Sequence, residues 1–215
     1  MEISERERIT DELWNSYLYP NTDVLKNKLG IMDSEELRKR EAEVSFERLV
    51  ELYEKPIHGE FDSEHLKSIH KYIFGDLYDW AGEYRYVNMM KQTGFTNHKD
   101  IANYLENEFK LMHEELKAVT NESSLASFLA TYYAQLMTIH PFREGNGRAS
   151  REFLREFVLE KSKNLPCGQL ELDWTKFNGE EMMRDIQFSL IFRGVMEYEF
   201  RKALIPVSIG EQTKM

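Results

Sequence analysis

The chain has 215 residues, long enough to bury a sizeable core in one domain, and its 38 acidic and 28 basic residues give a formal net charge of -10. That balance argues against sequence-independent nucleic-acid binding through a broadly basic surface, while a local basic pocket stays open. The single cysteine, Cys167, cannot close an internal disulfide and argues against a structural zinc site.

Met1 leads straight into Glu2, Glu5 and Glu7, with no apolar run of the signal-peptide type and no later stretch of membrane-spanning length. The expectation is a soluble, cytoplasmic protein with no membrane partner and no direct nucleic-acid partner. Trp14, Tyr17 and Tyr19 ahead of Pro20 suit an arm pinned to a core. Asn21-Thr22-Asp23 then offers a helix start for Val24 to Leu29, stopped by Gly30. A second start, Asp33-Ser34-Glu35-Glu36, predicts a long charged helix with Leu37, Val44 and Leu52 on one apolar stripe, ending before Pro56. Phe61-Asp62-Ser63-Glu64 opens another, with Leu66, Ile69, Ile73 and Phe74 on its buried side. His65 and His70 make no metal-ligand spacing there and read as core or surface histidines.

From Asp79 to Phe95, glycines frame a run containing Tyr84, Tyr86 and Val87, the pattern of a short hairpin in an otherwise helical protein. Such a hairpin either connects helices or offers an edge to which an extended segment adds a strand; residues alone favour connection. Ile101, Leu105, Phe109 and Met112 predict an amphipathic helix over 101–116. Ser123-Ser124 is expected to cap a nearly all-apolar helix carrying Leu125, Phe128, Leu129, Tyr132, Tyr133, Leu136 and Met137. A helix so apolar belongs at the centre of the fold. Phe153, Leu154, Phe157 and Val158 mark a second core helix that starts near Asn146 or Gly147. Asn164 to Gly168 reads as a loop, Trp174 and Phe177 as core packing, Glu181 to Leu204 as one or two helices, and Ile205 onward as a tail. The predicted class is mainly all-α with a short β-hairpin near 85–96. One domain, 1–205 with its N-terminal arm, and a tail, 206–215, are expected.

The turn between the two core helices, His140-Pro141-Phe142-Arg143-Glu144-Gly145-Asn146-Gly147-Arg148-Ala149-Ser150-Arg151, holds the densest chemistry in the chain. Gly145-Asn146-Gly147 at a helix start lets backbone N–H groups converge where the helix dipole is positive, which suits an anion. Arg148 and Arg151, three apart on one helical face, are unfavourable there unless something negative joins them. Glu144 would be repelled by the same phosphates unless a divalent cation such as magnesium stood between, or would simply pair with Arg143 or Arg148. His140 is a candidate proton acceptor. Phe142 reads as an anchor that plugs the loop into the core.

These residues match the signature His-x-Phe-x-Asp/Glu-Gly-Asn-Gly-Arg-x-x-Arg, and the chain is identified by it as resembling the Fic family. Asp79-Trp80-Ala81-Gly82-Glu83-Tyr84-Arg85 is similar to the segment that precedes the family's target-docking hairpin, and Leu18 to Gly30 resembles its N-terminal region. The resemblance implies a Fic-type helical bundle and transfer of AMP from ATP to a Ser, Thr or Tyr hydroxyl of a target protein, with release of pyrophosphate. Carried over by position, His140 is the base and Glu144 the magnesium ligand. Gly145, Asn146, Gly147, Arg148 and Arg151 bind the ATP phosphates, and Lys91 and Phe95 lie on the flap where the target docks. No Ser or Thr is followed four residues later by Glu, so the family's internal inhibitory motif is missing. That points to a separate antitoxin bringing a glutamate to Arg151, or to control of another kind. Transfer of UMP, phosphocholine or phosphate on the same scaffold, and a non-catalytic nucleotide- or protein-binding module, are the alternatives. If the chain belongs to a larger effector, delivery into a host cell replaces the cytoplasm.

Overall fold

Asp33 starts the first long helix by accepting hydrogen bonds from the backbone N–H groups of Glu35 and Glu36, so two of the donors a helix start leaves unpaired are satisfied. The computed structural model describes residues 12–91, 93–166, 168–177 and 194–207. In it helix α1 is Ser34–Glu54 and closes at Lys55, because the residue ahead of Pro56 is barred from helical geometry. It buries Leu37, Val44 and Leu52, as its spacing predicts, together with Ser45. Helix α2, Ser63–Phe74, is capped by Asp62 and packs on α1. Helices α3 (Ile101–Leu116), α4 (Glu122–Ile139), α5 (Asn146–Lys161) and α6 (Gly194–Ala203) follow. The architecture is mainly helical, with a hairpin where one was expected: β1 (Met90–Lys91) pairs antiparallel with β2 (Thr93–Gly94).

Contacts divide the chain into two units, Met1–Glu106 with Thr138–Ala149, and Asn107–Met137 with Ser150–Met215. In the first, Leu66, Ile69, Ile73, Phe74 and Phe142 are fully buried. In the second, Phe109 meets Phe153, Phe128 meets Phe157, and Trp174, Phe177 and Phe200 contact one another. Each such ring contributes about 1.5–3 kcal/mol relative to exposure, enough to make these clusters the main source of stability.

Three local expectations are corrected. Residues 24–29 are not helical: Tyr19 N–H bonds to Val24 O and Lys26 N–H to Tyr17 O, and the Asn27 side chain bonds Leu25 O, Ile31 O and Ile31 N–H. Side chain and cross-chain partners have outcompeted the helical ladder. The cap of α4 is Asn121, whose Oδ1 accepts from Ser124 N–H while Ser124 Oγ accepts from Asn121 N–H, so Ser124 is the inner half of a capping box. Leu204–Pro206, predicted to end a helix and begin a tail, forms strand β4 against β3 (Leu170–Leu172). The predicted helical stretch from Glu181 is described only from Gly194, and Cys167 also lies outside the described residues. Among the described residues no helix is long and apolar enough to cross a membrane.

Candidate active site

Pro141 bars His140 from the right-handed helical region, and α4 ends one residue earlier at Ile139. His140 takes φ 50 instead, a left-handed conformation that costs a residue with a Cβ about 1–2 kcal/mol. Such strain persists only where the surroundings fix it, and functional sites are where it concentrates. Here the His140 carbonyl accepts from Arg85 Nε at 2.8 Å, and the imidazole stacks on Phe95 with ring centroids 3.9 Å apart and 9° between planes. Phe95 comes from the segment just after β2, so the hairpin region and His140 are in direct contact.

The loop that follows is cross-braced from inside. Phe142 is fully buried and stacks on His70 at 3.8 Å. Asn146 accepts from Phe142 N–H through Oδ1 and donates to Phe142 O through Nδ2, both at 2.8 Å. Both ends of its carboxamide are therefore engaged with the loop, and what Asn146 can offer a ligand is its backbone N–H at the start of α5. Gly145 sits at φ 80, and a Cβ there would fall 2.3 Å from Phe74 Cε2.

His70 ties the loop to α2. Its Nδ1 accepts from Gly82 N–H, which leaves Nε2 as the protonated nitrogen donating to Glu144 O at 3.0 Å. Burial holds its pKa down to about 4. An unfolded His70 takes up a proton below about pH 6.5 while the folded one stays neutral to about pH 4, so stability is full above that window and falls as pH drops through it. Urea unfolding without nucleotide or divalent cation is expected to weaken by up to about 1.4 kcal/mol per pH unit between pH 6.5 and 4.5, and less steeply in His70→Asn. Equal slopes in the two proteins would rule His70 out as the source.

The charged groups are arranged by α1. Glu41 forms a salt bridge with Arg148, whose Nη1 also donates to Ser45 Oγ at 3.0 Å; Tyr78 O–H donates to the other Glu41 oxygen. The Arg148 guanidinium lies over the Phe74 ring, 4.6 Å from its centroid, so Arg148 is clasped on several sides. Glu144 is exposed, with Oε1 accepting from Gly145 N–H at 2.8 Å and 3.7 Å from Arg148 Nη2. Arg143 turns the other way and sits over the Trp14 ring at 4.3 Å, which makes Trp14 the pin of the N-terminal arm. Among the described residues no three His, Cys, Asp or Glu side chains gather as a metal set. One exposed carboxylate at a helix N-terminus still fits magnesium, which takes one or two carboxylates and completes its shell with phosphate and water oxygens.

A family model described as Fic/DOC matches residues 60–158. The probable protein adenylyltransferase y4lH of Sinorhizobium fredii is 30% identical over 174 residues, covering 75% of this chain and 88% of the relative. The chain belongs to the Fic/DOC family. It is an enzyme of that Fic family, which counts protein adenylyltransferases among its members. One of them, VbhT of Bartonella schoenbuchensis, is 34% identical over 206 residues, which are 90% of this chain and 41% of VbhT, so the chain spans less than half of that relative. The fold is that of BepC from Bartonella tribocorum, solved with bound AMPPNP, at a TM-score of 0.78 and 23% identity over 89% of this chain and 97% of that one.

Of the Fic signature, His140 to Arg148 lies in the first unit, and Arg151 follows three residues later in α5, within the second. The Arg151 carbonyl accepts from Trp174 Nε1 at 3.1 Å. Gly147 is half-buried in the first turn of α5. Lys91 ends β1, and Phe95 is the flap residue on His140. Sequence reasoning missed Glu41, Arg85 and the loop-bracing part of His70, since each reaches the site from a distant segment. For His70 the readable signal was its place on the apolar face of α2.

Proposed function

We propose that the chain is a protein adenylyltransferase that moves AMP from ATP to a Ser, Thr or Tyr hydroxyl of a target protein. The observation that carries this reading is the stack of Phe95 on His140 within one unit that also holds the Gly145–Arg148 helix start. A proton acceptor, an anion-binding turn and a strand edge for a target then belong to one assembly.

In this reading His140 takes the proton of the target hydroxyl as its oxygen attacks the α-phosphorus in line. The bond to the oxygen bridging the α- and β-phosphates breaks, and pyrophosphate leaves. Glu144 would hold magnesium, which when bound neutralises charge on the phosphate oxygens. Asn146 and Gly147 present backbone N–H groups, Gly145 lets the backbone approach the phosphates closely and spends its own N–H on holding the Glu144 carboxylate, and Arg148, oriented by Glu41 and Ser45, and Arg151 add positive charge. The target docks by strand addition at the hairpin region, the flap that includes Lys91 and Phe95. Control falls to a separate protein whose glutamate engages Arg151.

The test is incubation of the chain with magnesium, a cell lysate and ATP labelled at either the α- or the γ-phosphate. Label is expected in protein from the α position alone. Transfer of the γ label would make the reaction a kinase's, and transfer of neither would leave a binding module.

A further inference from the structure

Arg85 is 1% exposed, the bulkiest of the fully buried side chains, yet no salt bridge reaches it among the described residues. A buried charge is costly unless hydrogen bonds replace its water. Here four backbone carbonyls do so: Nε donates to His140 O at 2.8 Å, Nη1 to Val87 O at 2.6 Å, and Nη2 to both Thr96 O and Ile139 O. Ile139 and His140 stand at the C-terminal end of α4, whose partial negative charge offsets the guanidinium. The Arg85 backbone adds to the clasp by donating from its own N–H to Pro141 O at 2.8 Å. Burial lowers the pKa of the guanidinium to about 10, and the charge survives at neutral pH.

Three pieces of chain thus meet on one planar group. Val87 lies before the hairpin, Thr96 lies after it beside Phe95, and Ile139 to Pro141 carry the strained His140 backbone. Thr96 N–H also bonds Thr138 O at 3.3 Å, which adds a backbone link between the same two segments. A guanidinium reaches all four acceptors because its donors diverge in one plane, whereas an ammonium offers its three from a single point.

We propose that Arg85 is a positioning residue that locks both limbs of the hairpin to the backbone of His140, so that target docking and placement of the base are set together. The proposal rests on the adenylyltransferase reading for what His140 and the hairpin do; the clasp itself is read from geometry. Arg85 acts through His140 and Phe95 and touches no reacting atom.

Arg85→Lys, made in the full chain, keeps the charge and removes the fork. The His140 ring protons lie against the Phe95 face, so wild type should show them shifted upfield by NMR. In the lysine variant that shift is expected to vanish while the protein stays folded. A displacement of about 1 Å at a catalytic group costs on the order of 100-fold, so kcat/KM for a protein target should fall by about that factor with KM for ATP unchanged. Retention of both the shift and the turnover would overturn the proposal. So would a parallel loss of target turnover and ATP binding, which marks general structural damage. Should the lysine variant not fold, Phe95→Leu serves in its place: it is expected to move the Arg85 Nε–H resonance and speed its hydrogen exchange, and an unmoved resonance would refute the coupling. Neither NMR measurement needs catalysis. A wild-type chain that transfers no AMP would therefore end the functional reading without touching the test of the clasp.

Discussion

His140→Ala is expected to lower AMP transfer by about 100- to 10,000-fold, the range a positioned general base supplies. Two effects are mixed in that substitution, because the residue at 140 also carries a backbone at φ 50. Alanine loses the imidazole and bears the left-handed cost of about 1–2 kcal/mol in full, whereas histidine is one of the residue types found there several-fold more often than most. Asparagine loses the base but is among the few residues that enter the left-handed region readily. His140→Asn should therefore be as inactive as His140→Ala while unfolding later than that alanine variant. Initial rates with α-labelled ATP, paired with urea unfolding of all three proteins, separate chemistry from strain. Calorimetry should find nucleotide affinity little changed in both, since no contact assigned to phosphate is removed. An asparagine variant that keeps the wild-type rate would show that proton removal is not what position 140 contributes.

What the sequence made legible was local. Helix α1 was readable because Asp33, the acids after it and Pro56 mark both ends, and because Leu37, Val44 and Leu52 keep one stripe. The signature loop was readable because its residue types adjoin in the chain. Three features fell outside that reach. Residues 24–29 have a start signal and a stop signal, but their polar side chains found partners that the helix could not offer, Asn27 above all. Strands β3 and β4 are three residues each and lie more than thirty positions apart, so neither carries a detectable period of its own. Glu41, His70 and Arg85 act on the loop across 107, 74 and 55 positions, as the spacings of their bonds record, and nothing in the local pattern of an amphipathic helix says which charge will be turned inward. Arg85 could have been suspected only as a lone cation among tyrosines and a valine.

The Gly145→Ala substitution carries the largest expected cost in stability, and the reason is a ring one helix away. An added Cβ would meet Phe74 Cε2 at 2.3 Å and Cζ at 2.4 Å, distances that require one of the two to move. Phe74 has little room to yield: it is fully buried, His70 lies 4.8 Å from its centroid, and the Arg148 guanidinium covers it at 4.6 Å. Overpacking of this kind costs about 1–3 kcal/mol, and alanine at φ 80 adds about 1–2 kcal/mol, so a loss of about 2–5 kcal/mol is expected. That is a large part of the roughly 5–15 kcal/mol by which a domain is stable. A shift in the urea midpoint with an unchanged slope measures it. The steric part can be isolated with Phe74→Leu, which takes away the ring edge. If the clash is the cause, the double variant should be less destabilised than the sum of the two single ones, leaving the backbone share behind. Simple additivity would place the cost of Gly145→Ala in its backbone conformation alone. A loss below about 0.5 kcal/mol would mean that the loop and the α2 face can part freely, and the bracing of Glu144 and Arg148 by that packing would have to be abandoned.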